Sequence, residues 1–155
     1  MADWSARLAE LGIELPAVVP PLAAYTPAVR TGMYVYTSGQ LPMVDGKLTC
    51  TGKVGAEVSP EEAAAAARTC ALNALAAIHS LVGIDRIERI VKVVGFVASA
   101  TGFTGQPPVM NGASNLLGEI FGDAGVHARS AVGVAELPLG AAVEVELIVE
   151  LTPEA

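Results

Sequence analysis

Apolar positions recur along this chain in two rhythms, three-to-four and two, and the switches between them mark its elements. Trp4, Leu8 and Leu11 stand four and three apart, which predicts a short amphipathic helix over Asp3 to Leu11 stopped by Gly12. Pro16, Pro20, Pro21 and Pro27 exclude regular helix up to Tyr25, so Leu22 to Arg30 is at best an edge strand. Met33 to Ser38, β-branched and aromatic and closed by Gly39, reads as a strand paired with it. Asp45-Gly46 is a hairpin turn signal, with a brief strand expected over Lys47 to Cys50.

The rhythm then turns helical. Ser59-Pro60-Glu61-Glu62 has the form of a capping box with proline at the first helical position. Ala63, Ala67, Cys70, Ala74, Ala77 and Leu81 follow on one small-residue face until Gly83. Ile87 to Ala98 is dense in Val and Ile, which predicts a strand buried on both faces. A loop over Ser99 to Gln106 leads to Pro107-Pro108 and a second helix with Val109, Ala113, Leu116, Leu117 and Ile120 inward, ended by Gly122. Ala128 to Ala135 and Ala142 to Leu151 complete the chain as strands joined through Leu137-Pro138-Leu139-Gly140. The order ββ(β)αβαββ predicts an α+β fold, one mixed sheet with two helices on one face.

Composition adds a constraint. With 155 residues the chain suits one domain, yet 52% of them are apolar and only 16% charged, at a mean hydropathy of +0.52. Two helices cover one side of the sheet, so its other side is expected to close against further copies of the chain. The net charge of −7 argues against nucleic acid as a partner. The longest apolar stretch, Ala63 to Ile84, is interrupted by Arg68, Asn73 and His79, so no membrane span is expected. Cys50 and Cys70 do not form a disulfide framework and the Met-Ala-Asp-Trp start lacks signal-peptide character; the expected compartment is the cytoplasm.

No phosphate loop, nucleophile elbow, H-E-x-x-H or Cys-x-x-Cys motif is present, and His79 and His127 lie far apart in the chain, so a metal is not expected. Arg129 is the candidate that remains. Its strand face continues as Ala131, Gly133 and Ala135, nearly without side chains, so the guanidinium overhangs a floor where it could clamp a small carboxylate; the plain alternative is a strand-end arginine paired to a surface carboxylate. Glu144 and Glu146 share one face of the last strand, usually a solvated one. A two-residue hairpin at Pro138-Leu139 would set Ala131 opposite Glu146 and Gly133 opposite Glu144, on the face carrying Arg129; a three-residue loop would reverse this. Asn111 and Asn115 lie four apart on the polar side of the second helix, and Asn111 could reach a ligand.

The run Ala128-Arg129-Ser130-Ala131-Val132-Gly133-Val134-Ala135, followed by Leu137-Pro138 and Val143-Glu144-Val145-Glu146, resembles the C-terminal signature of the reactive intermediate deaminase (RidA/YjgF) family, formerly labelled endoribonuclease L-PSP. Tyr36-Thr37-Ser38-Gly39-Gln40-Leu41-Pro42 is similar to its N-terminal signature. The resemblance covers about Leu22 to Leu151, leaving residues 1–21 as a lead-in to a domain over 22–155. It implies a chorismate-mutase-like fold assembled as a homotrimer with sites between subunits, and hydrolysis of reactive enamine and imine acids to 2-keto acids and ammonia without a cofactor. It further implies that Arg129 holds the substrate carboxylate, that Tyr25, Ser38, Gly39 and Asn111 line the pocket, and that Glu144 sits near the attacking water. Two positions depart from the family pattern: Ala131 stands where the deaminases commonly carry cysteine, and Ala23-Ala24-Tyr25 replaces Gly-Pro-Tyr. These changes alter pocket volume and polarity. The alternative function is a non-catalytic protein that binds or senses small carboxylates in the same cleft. Cleavage of RNA conflicts with the acidic charge and the lack of a histidine pair.

Overall fold

The computed structural model describes residues 2–21 and 23–154. Leu22 and Ala155, the bounds of the expected domain, lie outside the described residues, as does Met1. The described residues form a five-stranded mixed sheet, a separate two-stranded hairpin and three α-helices.

Helix α1 spans Trp4–Leu11, with the Asp3 side chain accepting from the amide of Ala6 and Gly12 closing it in the left-handed region at φ 67°. Trp4 holds α1 to the body of the fold. Its indole donates to the Ile87 carbonyl at 2.8 Å and its ring meets Phe121 edge-on at 4.9 Å between centroids. Strands β1 (Ala28–Thr31) and β2 (Tyr34–Thr37) form the opening antiparallel pair, shorter than the patterning suggested: Pro27 has no ladder donor, and before it the Tyr25 amide turns back to the Ala23 carbonyl. Asp45 and Gly46, at φ 51° and 78°, turn the small hairpin of β3 (Met43–Val44) and β4 (Lys47–Leu48).

Helix α2 spans Pro60–Val82 and starts at the expected capping box, in which the Glu62 amide donates to Ser59 Oγ at 3.1 Å and the Ser59 amide to Glu62 Oε1 at 3.4 Å. Such a cap stabilises by about 1 kcal/mol. By length and hydropathy α2 could cross a membrane, but here it is the core helix, with Ala67, Cys70, Ala74 and Ile78 fully buried. Helix α3 spans Gln106–Phe121 and takes both prolines into its first turn, where no intrahelical donor is lost. The two helices pack so closely that a Cβ at Gly112 would strike the Ala64 carbonyl, so that contact admits only glycine.

Strand order is β1-β2-β7-β5-β6, where β5 is Ile87–Ala98, β6 Ala128–Val134 and β7 Val143–Leu151. Two expectations are corrected here. The last two strands do not form a hairpin: β5 lies between them, parallel to β6 and antiparallel to β7, and the connection through Pro138–Gly140 passes over its end. Nor is β5 buried on both faces. Ile90, Val93 and Val97 are fully buried under the helices, whereas Lys92, Val94 and Phe96 on the other face are only partly covered. That open face also carries Val29, Tyr36 and Val132, each about half exposed; Val29 and Tyr36 are paired across β1 and β2, and Val132 stands beside Phe96 on β5.

Candidate functional site

The register decides which candidate residues can meet. Val93 pairs with both Arg129 and Leu147, which puts Arg129 on the helix-covered side of the sheet. Phe96 pairs with both Val132 and Glu144, which puts Glu144 on the open side. Arg129 and Glu144 therefore lie on opposite faces within one copy, contrary to the arrangement a two-residue hairpin would have produced.

Beside Arg129 the small residues of the sheet are covered by side chains rather than left as an open floor. Gly95 and Gly133 face α3 so closely that a Cβ on either would meet Met110, or Gln106 and Ser99, respectively. Arg129 Nη1 donates to Asn111 Oδ1 at 2.8 Å and to Ser114 Oγ at 3.2 Å. Asn111 and Ser114 are three apart on α3 and so project from one side of it towards β6. His127 completes the cluster, its Nε2 2.9 Å from Ser114 Oγ and its Nδ1 2.6 Å from the Gly125 carbonyl oxygen. Among the described residues Arg129 makes no ion pair, so the surface carboxylate of the plain reading is not there. The Asn111 placed by sequence reasoning is in this cluster; Asn115 is exposed on another part of the helix.

Glu144 belongs to a second cluster. Beyond β2 the chain continues alongside β7, Gln40 and Val145 exchanging backbone hydrogen bonds at 2.8 and 3.0 Å, and Gly39 lies so close above Glu144 that a Cβ there would occupy its carboxylate. Burial, with Glu146 as a lesser contributor, raises the Glu144 pKa above its usual range. Ser38 Oγ donates to the Thr26 carbonyl at 2.6 Å and so ties this loop to the segment carrying Tyr25. Tyr25, Gly39 and Leu41 line a cleft of about 20 Å³ walled by Pro20 and Pro21 of the lead-in. Asn73, buried on α2, donates to the carbonyls of Leu41 and Met43 at 3.1 and 3.0 Å and fixes the loop from below. Sequence reasoning passed over Asn73, Ser114 and His127. A polar residue inside an alanine-rich helix face was the available signal for Asn73.

A cavity of about 810 Å³ lies between α1 and the end of α2 and touches neither cluster. No group of three His, Cys, Asp or Glu side chains gathers as a metal site among the described residues.

Residues 5–151 match the family described as "YjgF/chorismate_mutase-like, putative endoribonuclease". The chain belongs to this family. Protein TCP17 of Trypanosoma cruzi is 48% identical to it over 149 residues, 95% of this chain and 93% of that protein. The crystal structure of Atu1372 from Agrobacterium tumefaciens, of unknown function, is 45% identical with a TM-score of 0.88, covering 96% of this chain and 92% of that one. A "putative endoribonuclease" from Shewanella oneidensis is 36% identical with a TM-score of 0.92, covering 97% of this chain and all of the other. The chorismate-mutase-like fold expected from the two signatures is thus the fold of the molecule.

Proposed function

We propose that the protein hydrolyses reactive 2-imino acids to 2-keto acids and ammonia, with the site completed between copies of the chain. The observation that carries this reading is the state of Arg129: its Nη1 is held by two neutral acceptors, and no carboxylate of the described residues competes for the fork. A guanidinium so oriented suits bidentate grip of a substrate carboxylate. The reaction then asks little else of the protein. An enamine such as 2-aminoacrylate tautomerises to the imine by taking a proton on carbon; water adds to the protonated C=N carbon, and collapse of the carbinolamine breaks the C–N bond, leaving keto acid and ammonium.

Glu144 is the group suited to take the proton from that water. Its raised pKa makes it a stronger base than a free carboxylate, and Gly39 leaves room for it while presenting backbone beside it. A cleft of about 20 Å³ beside Gly39 holds no more than a water molecule, so a three- or four-carbon acid needs space that one copy does not supply. The open apolar face supports assembly into a homotrimer, in which Arg129 of one copy would approach the Tyr25, Ser38, Gly39 and Glu144 cluster of a neighbour. The nuclease name of relatives is not carried over: the chain is acidic and both ring nitrogens of His127 are engaged within the fold.

The test is keto acid release from a dehydratase reaction generating 2-aminoacrylate or 2-iminobutyrate. Added protein accelerates it, and Arg129→Ala abolishes the acceleration. Binding of 2-ketobutyrate without any acceleration would select the non-catalytic carboxylate-binding protein instead.

A further inference from the structure

We propose that Ser114 and His127 are positioning residues that set the orientation of Arg129 for carboxylate binding, an inference that rests on the role proposed for Arg129. The directions of the hydrogen bonds follow from the groups present. The Gly125 carbonyl only accepts, so the proton of the neutral His127 ring is on Nδ1, 2.6 Å away. Nε2 is then an acceptor and takes the Ser114 hydroxyl proton across 2.9 Å. With its proton committed to His127, Ser114 Oγ turns its lone pairs to Arg129 Nη1 at 3.2 Å. Nη1 has two protons, and Asn111 Oδ1 accepts the other at 2.8 Å. Both protons of one terminal nitrogen are therefore used inside the protein, and the edge formed by Nε and Nη2 is left for the two oxygens of a carboxylate.

The alternative use of a serine beside a histidine is as a nucleophile, and the geometry is against it. Ser114 Oγ accepts from a guanidinium, which lowers its nucleophilicity, and Ser114 sits inside α3, where the backbone amides are engaged in the helix and none forms an oxyanion hole.

The experiment compares Ser114→Ala, Ser114→Thr, His127→Phe and His127→Gln in the full chain, with Arg129→Ala as reference. It reads the Kd for 2-ketobutyrate by calorimetry, KM and kcat in the coupled imine assay, and the nitrogen resonances of the His127 ring. Ser114→Ala and His127→Phe are expected to weaken binding and raise KM about three- to tenfold with kcat nearly unchanged, as loss of a ground-state grip requires. The double variant should be no worse than either single one, because both break the same relay. Ser114→Thr keeps the hydroxyl and His127→Gln keeps an acceptor at the Nε2 position, so both should retain most of the affinity. The wild-type ring should show a protonated Nδ1 and a bare Nε2.

Unchanged affinity in Ser114→Ala beside complete loss in Arg129→Ala would overturn the positioning role and leave the carboxylate reading standing. Unchanged affinity in Arg129→Ala would remove both. The opposite His127 tautomer, or covalent labelling of Ser114 by a fluorophosphonate, would also overturn the proposal.

Discussion

Arg129 and Glu144 are carried on opposite faces of one sheet, two strands apart, because β5 separates β6 from β7 in register with both. If both serve one reaction centre, they come from different copies of the chain.

That relationship gives the sharpest test. Arg129→Ala and Glu144→Gln should each be inactive alone. Unfolded together in equal amounts and refolded, they should recover about a quarter of wild-type turnover, the share of sites between copies that draw an intact arginine from one chain and an intact glutamate from the other. No recovery in mixed oligomers verified by mass spectrometry would place both groups in one copy's site.

Gly39→Ala puts a methyl group where the Glu144 carboxylate now lies. The side chain is half-buried and can swing aside, so the cost in thermal stability should be small. Turnover should fall at least tenfold because a displaced base no longer meets the water, a shift of about 1.4 kcal/mol in the barrier. Wild-type kcat in this variant would argue against Glu144 as the base.

Glu144→Gln should also change stability with pH in a defined direction. The folded-state pKa of Glu144 lies above its ordinary value of 4.5, chiefly through burial and then through Glu146. Its contribution to stability is fully present below about pH 4.5 and is lost as pH rises through the folded value. Glutamine does not titrate, so relative to wild type the variant should gain in urea midpoint as pH rises from 4.5 towards 7, with the difference flat at lower pH. A difference that grows on acidification would contradict the sign.

Gly112→Ala tests the helix layer rather than the chemistry. The added carbon meets the backbone oxygen of Ala64, which no rotamer change can relieve, so α2 and α3 must move apart. A loss of about 1–3 kcal/mol in urea denaturation is expected. Because Asn111 and Ser114 flank the site, affinity for 2-ketobutyrate should drop as well.

Some elements were legible because their causes are local. The Ser59–Glu62 cap, the Asp45-Gly46 turn and the Gly12 stop depend on residues within a few positions of one another, and each formed where the spacing placed it. The alternation of β7 was legible for the same reason, with valine and leucine inward and glutamate outward. β5 misled because its Val and Ile density looks the same whether the second face is buried within one chain or left open. The Arg129 cluster was half legible. Its arginine and asparagine were singled out from their own segments, whereas Ser114 and His127 belong to it only because α3 lies over β6.

Alternating side chains determine which residues share a face of a strand, and helical spacing determines which share a side of a helix, because both follow from the geometry of consecutive bonds. Which strand lies beside which is chosen by long-range pairing and by the volume the helices can cover, quantities no short window contains. The amino-acid order thus determined that Arg129 stands over Ala131 and Gly133 and that Glu144 points with Glu146. Only the register of β5 against both their strands decided that they point away from each other.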